Sequence, residues 1–118
     1  MERINCLVLV EDLNNISEEI ERIFDRYKGK ELTEIDSKRV DALETKAHMI
    51  KKGFEKSDLF EVFQLYYSSL KDMEYLAEKM EKYSASFNCV LENRIEQAER
   101  DYRNAKAILS SKSIWVEI

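Results

Sequence analysis

Apolar residues recur at alternating spacings of three and four along most of this chain, which is the pattern of helices packed side by side. We call such a line of apolar residues along one side of a helix a seam. The longest uninterrupted seam lies between Ser57 and Tyr83 and consists of Leu59, Phe63, Tyr66, Leu70, Met73, Ala77 and Met80. Further apolar residues in this stretch widen the stripe, so we expect the helix to be covered on more than one face. Such a helix belongs in the middle of a bundle.

Similar seams elsewhere predict four helices in all. The chain has two glycines and no proline among 118 residues, which is too few turn residues for a sheet-rich fold. We therefore predict an all-α single domain over residues 1–118, an antiparallel bundle of about four helices with coiled-coil-like seams that dimerisation could complete. The predicted helices span residues 3–28, 34–53, 58–83 and 87–110, and a tail follows at 111–118.

Two places leave alternatives open. Residues 4–10 include the β-branched Ile4, Val8 and Val10 and fit a strand as well as a helix. We favour the helix because Cys6 and Leu9 are in phase with the seam that follows Leu13. At 84–87 the seam of the third helix loses its phase. We expect the chain to reverse there, and the alternative is one long helix that changes its buried face.

The predicted helix ends carry plausible capping residues. Gly29 is expected to adopt a left-handed conformation after the first helix, and Gly53 marks the end of the second. The second helix should begin near Thr33 or Asp36, where Thr33 with Asp36 three residues on forms a loose version of a capping box. This second helix is the most polar of the four, so we expect it at the surface.

Charge and composition narrow the class of partner. The net charge is −5, with 19 basic and 24 acidic residues mixed along the chain, and no segment forms the basic footprint that nucleic acid requires. No apolar run approaches the ~20 residues of a membrane span, and the opening segment lacks the features of a signal peptide. We expect a cytoplasmic protein with Cys6 and Cys89 as buried thiols. A disulfide between them would require the first and last helices to meet.

Candidate catalytic chemistry is sparse. The single His48 has no second histidine for a di-iron site, too few partners for a zinc site, and no recognisable catalytic partner. The sequence therefore predicts no catalytic, cofactor-binding or metal-binding residue, and no enzyme.

An alternative from another class is a metal-dependent all-α nucleotide pyrophosphohydrolase, in which carboxylate pairs on two helices hold magnesium. The chain has Glu31-x-x-Glu34 and Glu55-x-x-Asp58. Both pairs straddle predicted helix starts, and an acidic chain produces such pairs by chance. A further alternative is an accessory subunit of a nucleic-acid complex.

The tail is the least ordinary segment, because the only tryptophan lies in an apolar run near its end. It can fold back to plug its own bundle, or it can add a strand to a partner or clasp a second copy; residues 4–10, if they form a strand, would be its natural mate. The candidate contact residues are Ile114, Trp115, Val116 and Ile118. We predict a non-catalytic protein–protein interaction module, an adaptor, assembly factor or chaperone-like bundle, with an unidentified protein partner and a tendency to form homodimers.

Overall fold

The computed structural model describes residues 1–82 and 85–117, and describes no side chain within 81–89. The mostly helical fold with four helices is confirmed, and a small antiparallel sheet is added to it. The elements are β1 (Glu2–Asn5), α1 (Cys6–Tyr27), α2 (Glu34–Glu55), α3 (Phe60–Lys82), α4 (Ala85–Ser110) and β2 (Ser113–Val116).

The first predicted helix is wrong at its start, because Glu2–Asn5 is a strand and the helix begins only at Cys6. Asn5 makes the transition. Its side-chain oxygen accepts a hydrogen bond from the Leu7 amide at 3.0 Å, and its Nδ2 donates to the Ser110 carbonyl at 2.9 Å. The physical reason for the strand is the distant pairing partner at the other end of the chain, since Ile4 fits either conformation.

The turn between α1 and α2 follows from local chemistry. The helix α1 ends at Tyr27, and its left-handed cap is Lys28, with φ 47°. Gly29 has a positive φ of 85°, as predicted, but the cap lies one residue before it. Thr33 caps α2, as predicted: its Oγ1 accepts from the Asp36 amide at 3.4 Å. Tyr27 links the end of α1 to the start of α2, because its hydroxyl donates a hydrogen bond to the Asp36 carboxylate. This hydrogen bond, and to a lesser extent the nearby Arg26 and Arg39, lower the pKa of Asp36.

The helices pack as two pairs, α1 with α2 and α3 with α4. The second pair is antiparallel: Tyr66 near the start of α3 meets Tyr102 near the end of α4 with ring centroids 5.0 Å apart, and Leu76 lies across one groove from Ala98. The chain therefore reverses between α3 and α4. The segment proposed for the turn, 84–87, begins outside the described residues.

The two pairs share one core. Phe54 at the end of α2 stacks on Phe63 of α3 with centroids 4.4 Å apart, and the hydroxyl of Tyr67 donates to the Val10 carbonyl of α1 at 3.3 Å. The core also takes in both ends of the chain, and its buried members include Cys6, Leu9, Val10, Ile50, Leu109, Ile114 and Val116.

The overall shape is flat. Its principal extents are 51 × 40 × 16 Å and its radius of gyration is 17.4 Å, against about 13–14 Å for a compact domain of this length. A closed four-helix bundle and its completion by a second copy stay predictions.

Candidate functional site

The two ends of the chain meet in the small sheet, which fixes the face to which each residue of β2 points. Arg3 pairs with Trp115 and Ile4 with Ile114 in the antiparallel register. Because side chains alternate across a strand, Ile114 and Val116 point into the core, with 6% and 1% of their surface exposed, while Trp115 is 59% exposed.

The strand β2 approaches α2 closely at Gly53. A Cβ atom on Gly53 would lie 3.1 Å from Cγ2 of Val116 and 3.2 Å from the carbonyl oxygen of Trp115. A glycine inside a helix costs up to about 1 kcal/mol relative to alanine, and here it provides the space in which the strand crosses the helix. Gly53 is thus a packing residue within α2, which continues to Glu55, whereas the sequence suggested a helix end.

An open groove runs along α2 beside this crossing. Its main part has a volume of about 440 Å³ and lies between α1, α2 and the inner face of the sheet. A smaller depression of about 50 Å³, lined by Gly53 and Trp115 among others, adjoins it, and the two share Met49 and Glu117. We call the combined surface the α2 groove. It is lined mainly by Ile4, Leu9, Asp12, Ala42, Thr45, Lys46, Met49, Ile50, Lys52, Gly53, Lys56, Trp115, Val116 and Glu117.

The charges on the α2 groove are distributed unevenly. Three exposed lysines, Lys46, Lys52 and Lys56, follow the α2 side, and none of them forms an ion pair with a residue in the described ranges. Two acidic residues, Asp12 and Glu117, lie toward α1 and the end of the sheet. The main part of the groove is thus lined by one lysine and two acidic residues, and Lys52 and Lys56 line only the smaller depression.

The structure separates the four candidate contact residues that the sequence indicated. Ile114 and Val116 belong to the chain's own core, Trp115 is exposed beside the groove, and Ile118 lies outside the described residues. Sequence reasoning missed Met49, which is 36% exposed at the centre of the groove. The only indication in the sequence was that Met49 is an apolar residue that lies outside the seam of the most polar helix.

No cluster of histidine, cysteine or acidic side chains able to hold a metal ion occurs in the described part of the chain. His48 is exposed. The two carboxylate pairs considered for magnesium lie at opposite ends of α2, which is about 33 Å long at 1.5 Å per residue. They therefore do not converge on one ion.

The buried titratable groups lie in the core, away from the α2 groove. Burial raises the pKa of Tyr67 to about 12; burial, then a hydrogen bond with Tyr102, raises the pKa of Tyr66. Burial, followed by the charge of Asp58, raises the pKa of the free Cys6 thiol. The predicted burial of Cys89 concerns a side chain outside the described residues. Cys6 forms no disulfide within the described part of the chain. In each case the largest cause of the raised pKa is removal of the group from water.

None of the described helices combines the length and apolar character needed to cross a membrane. Comparisons with protein-family models, with curated proteins and with solved structures found no match to the chain.

Proposed function

We propose that the chain is a non-catalytic protein–protein interaction module whose contact surface is the α2 groove with Trp115 at its end. The observation that carries the proposal is the placement of a largely exposed tryptophan next to an open apolar groove with a charged rim. Contiguous apolar surface rimmed by polar residues is typical of interaction sites.

The anchoring of Trp115 supports this role. Its neighbours Ile114 and Val116 are held in the core, and the strand is fixed against Gly53 of α2, so the indole is presented from a rigid element. Tryptophan is among the residues that contribute most to binding energy at protein interfaces, and a rigid presentation lowers the entropy lost on association.

Copurification with surface variants tests the proposal. Met49→Glu places a charge in the floor of the α2 groove, and Tyr75→Glu places one on an exposed position of α3, away from the groove. We expect proteins that copurify with the wild-type chain to be lost with Met49→Glu and retained with Tyr75→Glu. If both variants retain them, or both lose them while remaining folded, the α2 groove is not the contact surface.

A second copy of the chain is a further candidate partner, favoured by the flat shape. The smallest extent is 16 Å, and exposed apolar side chains occur on several helices, among them Val8, Phe24, Leu65 and Ile108. A second copy that packed against one flat side of the chain would complete the expected helical bundle and make the module a homodimer. Light scattering over a range of concentrations tests this, and a mass of one chain, 14.0 kDa, at every concentration contradicts it.

A further inference from the structure

We infer that a second cleft, between α2 and α3, binds a small molecule with an apolar body and an anionic head group. Its volume is about 520 Å³, within the range of about 300–1,000 Å³ that is typical of small-molecule sites. We call it the α2–α3 cleft, and its main lining residues are Leu13, Ala47, Lys51, Phe63, Tyr67 and Lys71. The inference goes beyond the proposed function and does not depend on it.

The α2–α3 cleft lies beside the contact that joins the two helical pairs. Phe63, which lines the cleft, stacks on Phe54 of α2 with ring centroids 4.4 Å apart. Three small side chains, one each from α1, α2 and α3, also line the cleft: Ser17, Ala47 and Ser68. Because these side chains are short, they leave space between the helices that larger residues would fill.

The floor of the α2–α3 cleft is apolar and held in place by the core. Leu13 and Phe63 are buried and Tyr67 is half-buried. The rings of Phe63 and Tyr67 meet edge to face with centroids 5.0 Å apart, and the hydroxyl of Tyr67 donates to the Val10 carbonyl at 3.3 Å. A ligand would therefore meet a preformed apolar surface, which lowers the entropy lost on binding.

The charged side chains that line the α2–α3 cleft are all basic. Lys51 of α2 and Lys71 of α3 are exposed, and neither forms an ion pair with a residue in the described ranges. No acidic residue of the described part of the chain lines this cleft, whereas Asp12 and Glu117 line the α2 groove. A cleft with charges of one sign and low-dielectric walls concentrates ligands of the opposite sign.

Two uncharged polar side chains complete the rim. Ser17 and Gln64 are exposed and make no hydrogen bond with another residue that the structure describes. Both carry donors that an oxyanion can accept. The hydroxyl of Ser68, in contrast, already donates to the Leu65 carbonyl at 3.3 Å. The rim therefore favours an anionic head group, and the floor favours an aromatic or aliphatic body.

The α2–α3 cleft and the α2 groove occupy different flanks of α2. Met49 in the groove lies two residues from Ala47 and two residues from Lys51 in the cleft. Two residues correspond to about 200° around a helix. Substitutions in one site therefore leave the lining of the other unchanged, and the two proposals can be tested separately.

The probe is anilinonaphthalene sulfonate, which has an aromatic body and one anionic group and becomes strongly fluorescent on apolar protein surface. The matched probe is N-phenylnaphthylamine, which has the same rings without the sulfonate. Fluorescence titration of the folded chain should show saturable binding of the sulfonate. Binding should weaken as the salt concentration rises, because salt screens the attraction to the lysines.

Charge-neutralising variants locate the head group. The double variant Lys51→Gln, Lys71→Gln should weaken binding of the sulfonate by about fivefold, which is the size expected for the loss of two exposed ion pairs. It should leave binding of the neutral probe within twofold of the wild-type value. The matched control is Lys46→Gln, Lys52→Gln, which changes the net charge equally at exposed positions of α2 outside the cleft. It should leave binding of both probes within twofold.

Three results would overturn the inference. The first is the absence of saturable binding of the sulfonate to the wild-type chain. The second is equal weakening of both probes by the Lys51, Lys71 double variant, because the lysines would then not contact the head group. The third is an equal or larger loss with the Lys46, Lys52 double variant, which would place the probe in the α2 groove. Circular dichroism and urea unfolding verify that each variant is folded.

Discussion

Gly53 and Val116 lie so close that a single added carbon on the glycine would come within 3.1 Å of the valine methyl group Cγ2. The contact joins α2 to the C-terminal strand, and the strand in turn holds the N-terminal strand. The geometry of the α2 groove thus depends on a glycine that would otherwise weaken its helix.

Replacement of Gly53 by leucine should destabilise the fold. The larger side chain has no space between α2 and β2, and overpacking of this kind costs about 1 to 3 kcal/mol. Urea unfolding measures the free energy. His48→Leu is the matched control, because His48 is an exposed residue of the same helix, and it should change the stability much less. Equal free energies for the two variants would show that β2 does not rest against α2 at this point.

Side chains of β2 point alternately to the core and to solvent, so substitutions at neighbouring residues should change the stability by different amounts. Ile114→Ala removes a buried side chain from the core, so the free energy of unfolding should fall by about 2 to 5 kcal/mol. Trp115→Ala removes an exposed side chain, and the change should stay within about 0.5 kcal/mol. Chemical denaturation followed by circular dichroism measures both. A larger loss for Trp115→Ala than for Ile114→Ala would mean that the register of the sheet is shifted by one residue.

Tyr67 should make the fold sensitive to alkaline pH. Burial raises its pKa in the folded state to about 12, above about 10 in the unfolded chain. A raised pKa contributes stability that is present below pH 10 and lost as the pH rises toward 12, because the unfolded state releases the proton first.

Tyr67→Phe tests this pH dependence. At pH 9 the variant should be less stable by about 1 kcal/mol, since it lacks the hydrogen bond to the Val10 carbonyl. At pH 11 the difference from the wild-type chain should shrink. Tyr75→Phe, at an exposed position of the same helix, should show no such convergence in urea unfolding. A constant difference for Tyr67→Phe at both pH values would contradict the prediction.

Two threonines of α2 should differ in their effect on stability, because Thr33 caps the start of the helix and Thr45 lies inside it. Thr33→Ala removes the oxygen that accepts from the Asp36 amide, and the free energy of unfolding should fall by about 1 kcal/mol. Thr45→Ala is the control: Thr45 lies inside α2, where its hydroxyl bonds to the Asp41 carbonyl of the preceding turn, and alanine is the better helix former. Thermal unfolding compares them, and a loss at Thr45 as large as that at Thr33 would count against the cap.

Periodicity, turn residues and capping chemistry were sufficient to predict the four helices, because each of these signals acts between residues a few positions apart. The cap at Thr33 is one example, and the seam that starts at Leu59 is another. Leu59, Phe63 and Tyr66 of that seam are buried, whereas further along the helix Leu76 is buried in place of Ala77. The composition also favoured helices over a large sheet, and the sheet that does occur has only two strands of four residues.

Only the tertiary structure decided the conformation of the chain ends and the position of the candidate site. Ile4 is compatible with helix and strand, and its conformation depends on Ile114, which is 110 positions away in the sequence and pairs with it in the sheet. Likewise, Gly53 resembles a helix end until β2 is placed against it, and Met49 resembles an isolated surface methionine until α1 and the sheet form the opposite wall of the groove. The physical reason is that local spacing determines helical propensity and faces, whereas the pairing of distant segments determines which of those faces remain exposed.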